Sequence, residues 1–286
     1  FDVTSDTVSN WGVSKFGGGV AQPLYSAQNS SGTAQPITTS IQVVSVPQTA
    51  GAPRVLLTFG TGKMLEPGDQ TPNPSTQTIY GVWDWDMSNW NSLSSSQYAT
   101  LTGTQTIARS TLQQQTVTGT YDAAGNTYNG TGTGYRTLSS NQVCWKGGTG
   151  CTKYGWYLDL PMTGEEVIFN PTIAYGVFLV NTFIPSNVSN LTCSSQQSSG
   201  FTMALNPATG GSMQGSFFAD ASGQFVTING QLVSGMAQNA VGTPSIVTDG
   251  SQPYMVNQTA GGQGKVAPIN PPSGGIGGRA TWMQLR

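Results

Sequence analysis

The chain has 286 residues, of which only 8% are charged and 36% are apolar, and its formal net charge is −2. The charged fraction is far below the roughly 25% of an average soluble domain. So small a net charge gives no electrostatic attraction to nucleic acid or to an anionic membrane. No segment approaches the roughly 20 consecutive apolar residues of a membrane-spanning helix. Ser, Thr, Asn, Gln and Gly supply the polarity, and helix-forming residues are scarce, so the composition predicts an all-β, loop-rich protein.

The cysteines bear on the cellular compartment. Cys144 and Cys151 bracket the loop WKGGTG and either close a small disulfide or remain two unpaired thiols. Cys193 either pairs with a cysteine upstream of Phe1 or stays buried and free. With no histidine and no zinc-like spacing, these residues do not form a zinc site. A disulfide favours an oxidising, extracytoplasmic location. The sequence begins at Phe1, without an initiator methionine or a recognisable signal peptide. We therefore expect this chain to be the C-terminal piece of a longer precursor.

The first half of the chain contains three predicted strands. Residues 41–46 form a β-branched run that Pro47 ends. Residues 55–59 predict a second strand, and its continuous apolar run Val55, Leu56 and Leu57 is typical of a strand covered on both faces. Residues 78–85 are β-branched and aromatic and predict a third strand. Between the last two, Gly60 and Gly62 either adopt a positive φ or allow another backbone to approach closely.

Residues 87–150 are strongly polar and predict a long hairpin or insertion. Residues 104–107 and 114–120 have the pattern of strands with a weak apolar face, and a turn-rich tip follows them. Because the segment contains so little apolar surface, we expect it to bury little and to project from the body.

From residue 154 onward, further strands are predicted at regular spacing, over residues 154–161, 164–171, 175–185 and 201–206. The last ends in the turn Asn206-Pro-Ala-Thr-Gly210. Such spacing is typical of a β-propeller or another all-β array. At about 45 residues per blade, the chain supplies four or five blades, and the others are expected upstream of Phe1. Residues 261–286 read as a Gly/Pro linker and a closing terminal strand that docks Trp282 and Leu285.

Several motifs resemble those of one family, in the family's order. FGTGKML (residues 59–65), QTIYGVWD (77–84), YGWYLDLP (154–161), GEEVIFNP (164–171) and the ending GRATWMQLR are similar to motifs in the C-terminal domain of the PilC/PilY type IV pilus tip adhesins. Met283 departs from the pattern, since arginine is more usual there. The resemblance implies a modified seven-bladed β-propeller.

The resemblance also implies a function. Family members are secreted and carried at the pilus tip, where they support pilus assembly, retraction control, surface adhesion and twitching motility. The implied partners are minor pilins and a host or abiotic surface. The implied calcium site is an aspartate-rich loop upstream of Phe1; within this chain Asp122–Asn126 has too few oxygen ligands for one. We expect any binding surface in the loop of residues 66–76 or in the polar hairpin after it.

Enzymatic alternatives rest on paired carboxylates, since the absence of histidine excludes Ser/His and Cys/His catalysis within the chain. Asp84 and Asp86 are predicted to share one face of a strand, whereas Glu165 and Glu166 are predicted to point to opposite faces. The paired carboxylates leave a carbohydrate-active enzyme as an alternative function. The Asn206–Gly210 turn raises a second alternative, a quinoprotein-like dehydrogenase, because the propeller blades of those enzymes end in a similar turn. We favour a non-enzyme and assign no catalytic, cofactor or metal residue.

The tryptophans have two interpretations, a binding surface that stacks on a sugar or a partner, or a core between blades. The core is favoured for Trp83 and Trp156, which lie on predicted strands. For Trp85 both the binding surface and the core remain open. Trp90 and Trp145 lie in polar loops, and for them the two interpretations are evenly balanced.

Overall fold

The structure is a computed structural model that describes residues 5–15, 21–48, 51–87, 97–130, 132–186, 198–220, 222–250, 252–259 and 262–272. Within these ranges the chain forms strands and short 3-10 helices. The strands are β1 (Gln42–Val46), β2 (Arg54–Gly60), β3 (Thr78–Trp83), β4 (Gln113–Gln115), β5 (Val117–Asp122), β6 (Gly134–Leu138), β7 (Gly155–Asp159), β8 (Thr172–Ala174), β9 (Val177–Asn181), β10 (Phe201–Leu205), β11 (Thr227–Ile228), β12 (Gln231–Leu232), β13 (Gly235–Ala237), β14 (Ala240–Asp249), β15 (Gln252–Thr259) and β16 (Gly264–Pro268). The 3-10 helices span Val8–Asn10, Pro67–Gln70 and Arg109–Thr111. The all-β prediction is confirmed.

A five-stranded sheet contains the predicted strands of the first half, in the order β1-β2-β3-β7-β4. Its neighbours are antiparallel except for β4, which runs parallel to β7. Every residue of β3 is buried, because this strand lies at the centre of the sheet and is covered on both faces.

A six-stranded sheet has the order β5-β6-β13-β10-β9-β8. Strands β9 and β10 are buried along their whole length. The larger hydrophobic core contains residues of both sheets, among them Leu56 and Val82 of the first and Phe178 and Met203 of the second. The two sheets therefore share one core.

Trp156 packs where the two sheets meet. A Cβ at Gly81 on β3, or at Gly210 in the turn after β10, would overlap its indole ring. The indole Nε1 donates a hydrogen bond to the Pro207 carbonyl oxygen (2.9 Å). Gly210 has a φ of +72°, a conformation that glycine adopts at little cost. The predicted core role of Trp156 is confirmed, and the Asn206–Gly210 turn is fixed against it.

A three-stranded sheet, β14-β15-β16, covers a second core. Asn257 of β15 is buried, and its Nδ2 donates to Gln238 Oε1 (2.6 Å) and to Thr202 Oγ1 (3.2 Å) of the six-stranded sheet. Because buried amides must find partners, this network fixes how the small sheet docks. Strand β16 lies within residues 261–286, where only a linker and a terminal strand were predicted. Residues 273–286 lie outside the described residues, as does their predicted strand.

Two predicted strands are wrong. Residues 104–107 form no strand. Residues 164–171 make only a single bridge, between Glu166 and Phe183, because the backbone bonds of this segment go to two different elements. Val167 N–H donates to Thr61 on one side, and Glu166 N–H donates to Phe183 on the other, so no continuous ladder forms.

The predicted polar hairpin is present as β5 and β6, which pair antiparallel. The expectation that it buries little is wrong for β6, four of whose five residues are buried. The cause is its pairing with β13, which makes it an inner strand of the six-stranded sheet. The boundaries of an insertion at residues 87 and 150 stay a prediction.

Candidate functional site

Residues 164–167 pack closely against Gly60–Gly62, and we call residues 164–167 the bridging segment. Val167 N–H donates to the Thr61 carbonyl oxygen (2.9 Å). A Cβ at Gly60 would lie 2.5 Å from Val167 Cβ, and one at Gly62 would lie 2.6 Å from the Val167 carbonyl oxygen. Of the two predicted roles for these glycines, close approach is therefore the correct one. The motif FGTG provides the surface on which the bridging segment joins the two large sheets.

Glu165 points into the six-stranded sheet and pairs with Arg136. Arg136 Nη1 donates to Glu165 Oε1 (2.5 Å) and Nη2 donates to Oε2 (2.8 Å), and both side chains are completely buried. Thr182 Oγ1 adds a hydrogen bond to Oε1 (2.6 Å), and the guanidinium lies 3.6 Å from the centroid of the Phe201 ring. Removing either partner would leave the other buried without a counter-charge, which is costly. Glu165 is therefore a structural residue.

Glu166 points the other way, into the five-stranded sheet, which confirms the predicted opposite directions. Its Oε2 accepts a hydrogen bond from Lys63 N–H (3.0 Å), and only 2% of the residue is exposed. Burial raises the pKa of the Glu166 carboxyl to about 7, and the nearby charge of Asp69 adds to the rise. This carboxyl therefore titrates near neutral pH.

The loop of residues 63–76 follows β2 and contains the whole of the predicted binding loop, residues 66–76. Asp69 Oδ2 accepts hydrogen bonds from the backbone N–H groups of Leu65 and Glu66 (both 2.9 Å), and Lys63 Nζ lies 3.3 Å from Asp69 Oδ1. At the far end, Pro72 packs against Gly164, whose φ is +75°. The loop is thus fixed at both ends. It presents Leu65 with 74% of its surface exposed, the largest value among the exposed large apolar side chains of the described residues.

The two carboxylate pairs considered for catalysis lie in different environments, Asp84 and Asp86 half-buried and Glu165 and Glu166 fully buried. Asp84 and Asp86 alternate with buried Trp85 and Met87, so they lie on the same side of the chain, but β3 ends at Trp83 and the strand predicted to carry them does not reach them. Burial raises the pKa of Asp84 to about 6, and the charge of Asp86 adds to the rise. Glu165 is already bound to Arg136.

The Asp122–Asn126 turn does not fit a calcium ion. Asp122 Oδ1 accepts hydrogen bonds from the backbone N–H groups of Ala124 and Asn126 (both 2.9 Å), and these bonds lower the pKa of Asp122. The carboxylate thus closes its own turn. Within the described residues no group of three or more His, Cys, Asp or Glu residues is placed to hold a metal. A calcium site upstream of Phe1 stays a prediction.

Cys144 and Cys151 are joined by a disulfide in the structure, with Cα atoms 4.9 Å apart, inside the usual range. Its presence in the protein stays a prediction with a simple test. Cys193 lies outside the described residues.

The aromatic residues are mainly core. Trp83 and Trp85 are buried, and Trp145 is half-buried against Trp83, with ring centroids 6.1 Å apart. The Arg54 guanidinium lies 4.8 Å from the Trp83 ring centroid and 4.9 Å from that of Trp145. Such cation–π contacts order the three side chains. Trp90 lies outside the described residues.

Sequence reasoning missed Arg136 and Gln115, two buried polar residues of the polar region. Their signal is weak: Arg136 alternates with apolar or β-branched neighbours from Tyr135 to Leu138, and Gln115 only ends a run of three glutamines before Thr116 and Val117. Among the described residues, no helix has the length and apolar character needed to cross a membrane.

Comparisons with known proteins agree on one family. A family model described as the PilY1 beta-propeller domain matches residues 4–127. The type IV pilus biogenesis factor PilY1 of Pseudomonas aeruginosa PAO1 is 36% identical over 202 residues, which cover 68% of this chain and 16% of that protein. PilY1 of strain UCBPP-PA14 is 30% identical over 279 residues, which cover 91% of this chain and 22% of that protein.

The crystal structure of the Pseudomonas aeruginosa PilY1 C-terminal domain aligns with a TM-score of 0.66 and 29% identity, over 88% of this chain and 48% of that one. The strand-rich fold and these matches define an all-β protein of the β-propeller class. The chain belongs to the PilC/PilY family, to whose C-terminal β-propeller domain it corresponds. It spans less than a quarter of the length of the two curated relatives described above.

Proposed function

We propose that this chain acts in type IV pilus biogenesis, at the pilus tip on the outside of a bacterium. There it binds minor pilins and mediates attachment to a host or abiotic surface, and so supports twitching motility. The observation that carries the proposal is the 36% identity to a protein named as a type IV pilus biogenesis factor, over 68% of this chain. The net charge of −2 gives the chain no electrostatic attraction to nucleic acid that would favour a different function.

The 63–76 loop is the docking point that the geometry supports best. An ordered loop loses little conformational entropy when it binds, and this one is held by Asp69 and by the contact of Pro72 with Gly164. Leu65, near the start of the loop, is exposed and offers an apolar contact to a protein partner. The charges of Lys63, Glu66 and Asp69 surround that contact and supply a polar rim.

The test combines pull-down of purified minor pilins with labelling of intact pili. Wild-type protein is expected to retain minor pilins and to label pilus ends. Leu65→Glu is expected to weaken retention, whereas Val266→Glu, a charge placed at another exposed apolar residue (60% exposed), is expected to behave as wild type. A wild-type protein that ignores pilins and pili would overturn the pilus function. Equal retention by both variants would reject only the loop as docking point.

We also propose that the chain is not an enzyme, since its relatives are named as biogenesis factors. A dehydrogenase or carbohydrate-active enzyme needs acids or cations that converge on a cleft. Glu165 and Glu166 instead hold the bridging segment in place, through Arg136 on one side and Lys63 on the other.

A further inference from the structure

An open groove of about 670 Å³ lies beside the turn that packs on Trp156. Its walls come from three parts of the chain: the loop after β6, the Asn206–Gly210 turn with the residues after it, and the hairpin of β11 and β12. The polar side chains that line it belong to Ser140, Gln142, Asn206, Thr209, Gln214 and Gln231. A volume of this size is typical of small-ligand sites.

The two principal walls are held together by the side chain of Gln115, which is completely buried. Its Nε2 donates to the carbonyl oxygens of Asn141 (2.7 Å) and Thr209 (2.8 Å), one on each wall. Its Oε1 accepts from Ser139 Oγ (2.7 Å) and from Asn141 N–H (3.0 Å). A side-chain amide has two donors and one acceptor oxygen with two lone pairs, and here all are used. We call this arrangement the Gln115 latch.

A second connection between the walls comes from the backbone. Ser212 N–H donates to the Ser139 carbonyl oxygen (3.0 Å). The Asn206–Gly210 turn is itself closed by bonds from Thr209 N–H and Gly210 N–H to the Asn206 carbonyl oxygen (3.2 and 2.7 Å). The groove is therefore built before any ligand arrives, and binding would not require its walls to reorganise.

The groups that line the groove have hydrogen-bonding capacity to spare. Within the described part of the chain, the side-chain amides of Gln142 and Gln214, the hydroxyl of Ser140 and the Nδ2 of Asn206 make no hydrogen bond to the protein, since Asn206 uses only its Oδ1, toward Ala208 N–H. No charged side chain is among the described residues that line the groove. Met213 and Leu232 add apolar surface to the same walls.

We propose that this groove binds an uncharged oligosaccharide. Sugar hydroxyls both donate and accept, and amides beside hydroxyls offer both functions side by side. Met213 and Leu232 can cover the less polar C–H face of a sugar ring. An anionic glycan would lose its hydration without an arginine or lysine to replace it, and a peptide would find no deep apolar pockets for its side chains among the described residues that line the groove. The inference rests on the proposed attachment function, for which it names the class of surface ligand.

The test is a glycan array probed with the full chain. It carries neutral oligosaccharides of glucose, galactose, mannose and N-acetylhexosamines, together with sialylated and sulfated ones. Binding is expected to neutral members only, and titration calorimetry is expected to show affinity lowered about tenfold by the double variant Gln142→Ala/Gln214→Ala, which loses several hydrogen bonds. Gln263→Ala, at an exposed glutamine outside the groove, is the matched control and is expected to bind as wild type.

Three results would overturn the inference: no binding to any neutral oligosaccharide, binding to anionic ones alone, or wild-type affinity in the double variant. The pull-down described above separates the two proposals. A chain that retains minor pilins but binds no glycan loses the groove ligand alone. A chain that binds neutral glycans through Gln142 and Gln214 but ignores pili keeps the groove ligand and loses the pilus function.

Discussion

The backbone of Val167 lies directly on Gly62, where a Cβ would be 2.6 Å from the Val167 carbonyl oxygen. Gly62→Ala is therefore expected to lower the free energy of unfolding by about 1–3 kcal/mol, because backbone must move to make room. Urea denaturation measures the change. Gly68→Ala in the same loop is the control, since a Cβ there meets nothing within 4 Å. Equal effects of the two substitutions would contradict the packing of the bridging segment on Gly62.

Glu166 makes stability depend on pH. Burial raises the pKa of its carboxyl from 4.5 to about 7, so the folded state holds the proton more tightly than the unfolded state. As pH rises from about 4.5 to about 7 the folded state therefore loses stability, by an amount of the order of 3 kcal/mol.

The measurement compares wild type with Glu166→Gln by chemical denaturation across this range. Glutamine keeps an acceptor for Lys63 N–H and does not titrate, so the stability of wild type relative to the variant is expected to fall as pH rises. The raised pKa of Asp84 affects both proteins alike and cancels in the difference. Parallel pH profiles would rule out a perturbed Glu166.

Because Arg136 and Glu165 are buried together, we expect the effects of substituting them on the free energy of unfolding to be strongly non-additive. Arg136→Met leaves Glu165 buried without its cation and is expected to cost roughly 3–5 kcal/mol. Adding Glu165→Leu removes the stranded charge, so the double variant is expected to recover much of that loss. A double-mutant cycle by urea denaturation gives the coupling. Two independent, additive effects would show that the residues do not act as a pair.

The Cys144–Cys151 disulfide is tested by alkylation without reduction, followed by peptide mapping. Neither cysteine is expected to be labelled until a reductant is added. Removing the bridge with Cys144→Ser/Cys151→Ser is expected to cost about 2–3 kcal/mol in the chain-entropy model, because the loop is short. Labelling of both thiols in the unreduced protein would refute the pairing. Because mapping separates the peptides, the state of Cys193 does not affect the result.

Local patterns made part of this structure predictable. The apolar run around Leu56 and the aromatic run around Trp83 predicted two strands correctly. Both strands are buried along most of their length, and buried strands have the apolar residues that make them recognisable in a sequence. The opposite directions of Glu165 and Glu166 followed from alternation alone. The motif resemblance led to the family, but it did not indicate which residues face a ligand.

The parts that could not be predicted depend on contacts distant in sequence. Arg136 is tolerated in a buried strand only because Glu165 arrives 29 residues later. Residues 164–171 have a strand-like composition, yet Glu166 bonds to Phe183, just after β9, and Val167 bonds to Thr61, just after β2. The groove likewise depends on Gln115 reaching Thr209, 94 residues away. No periodicity in the sequence encodes such pairings.

The Gln115 latch is made wholly of neutral groups, and this has an environmental consequence. Dissolved salt screens interactions between charges, and acidity alters only groups that titrate. Neither acts on an amide that bonds to carbonyl, hydroxyl and backbone N–H partners. The walls of the groove are therefore expected to keep the same spacing when the salt concentration or the pH of the surroundings changes.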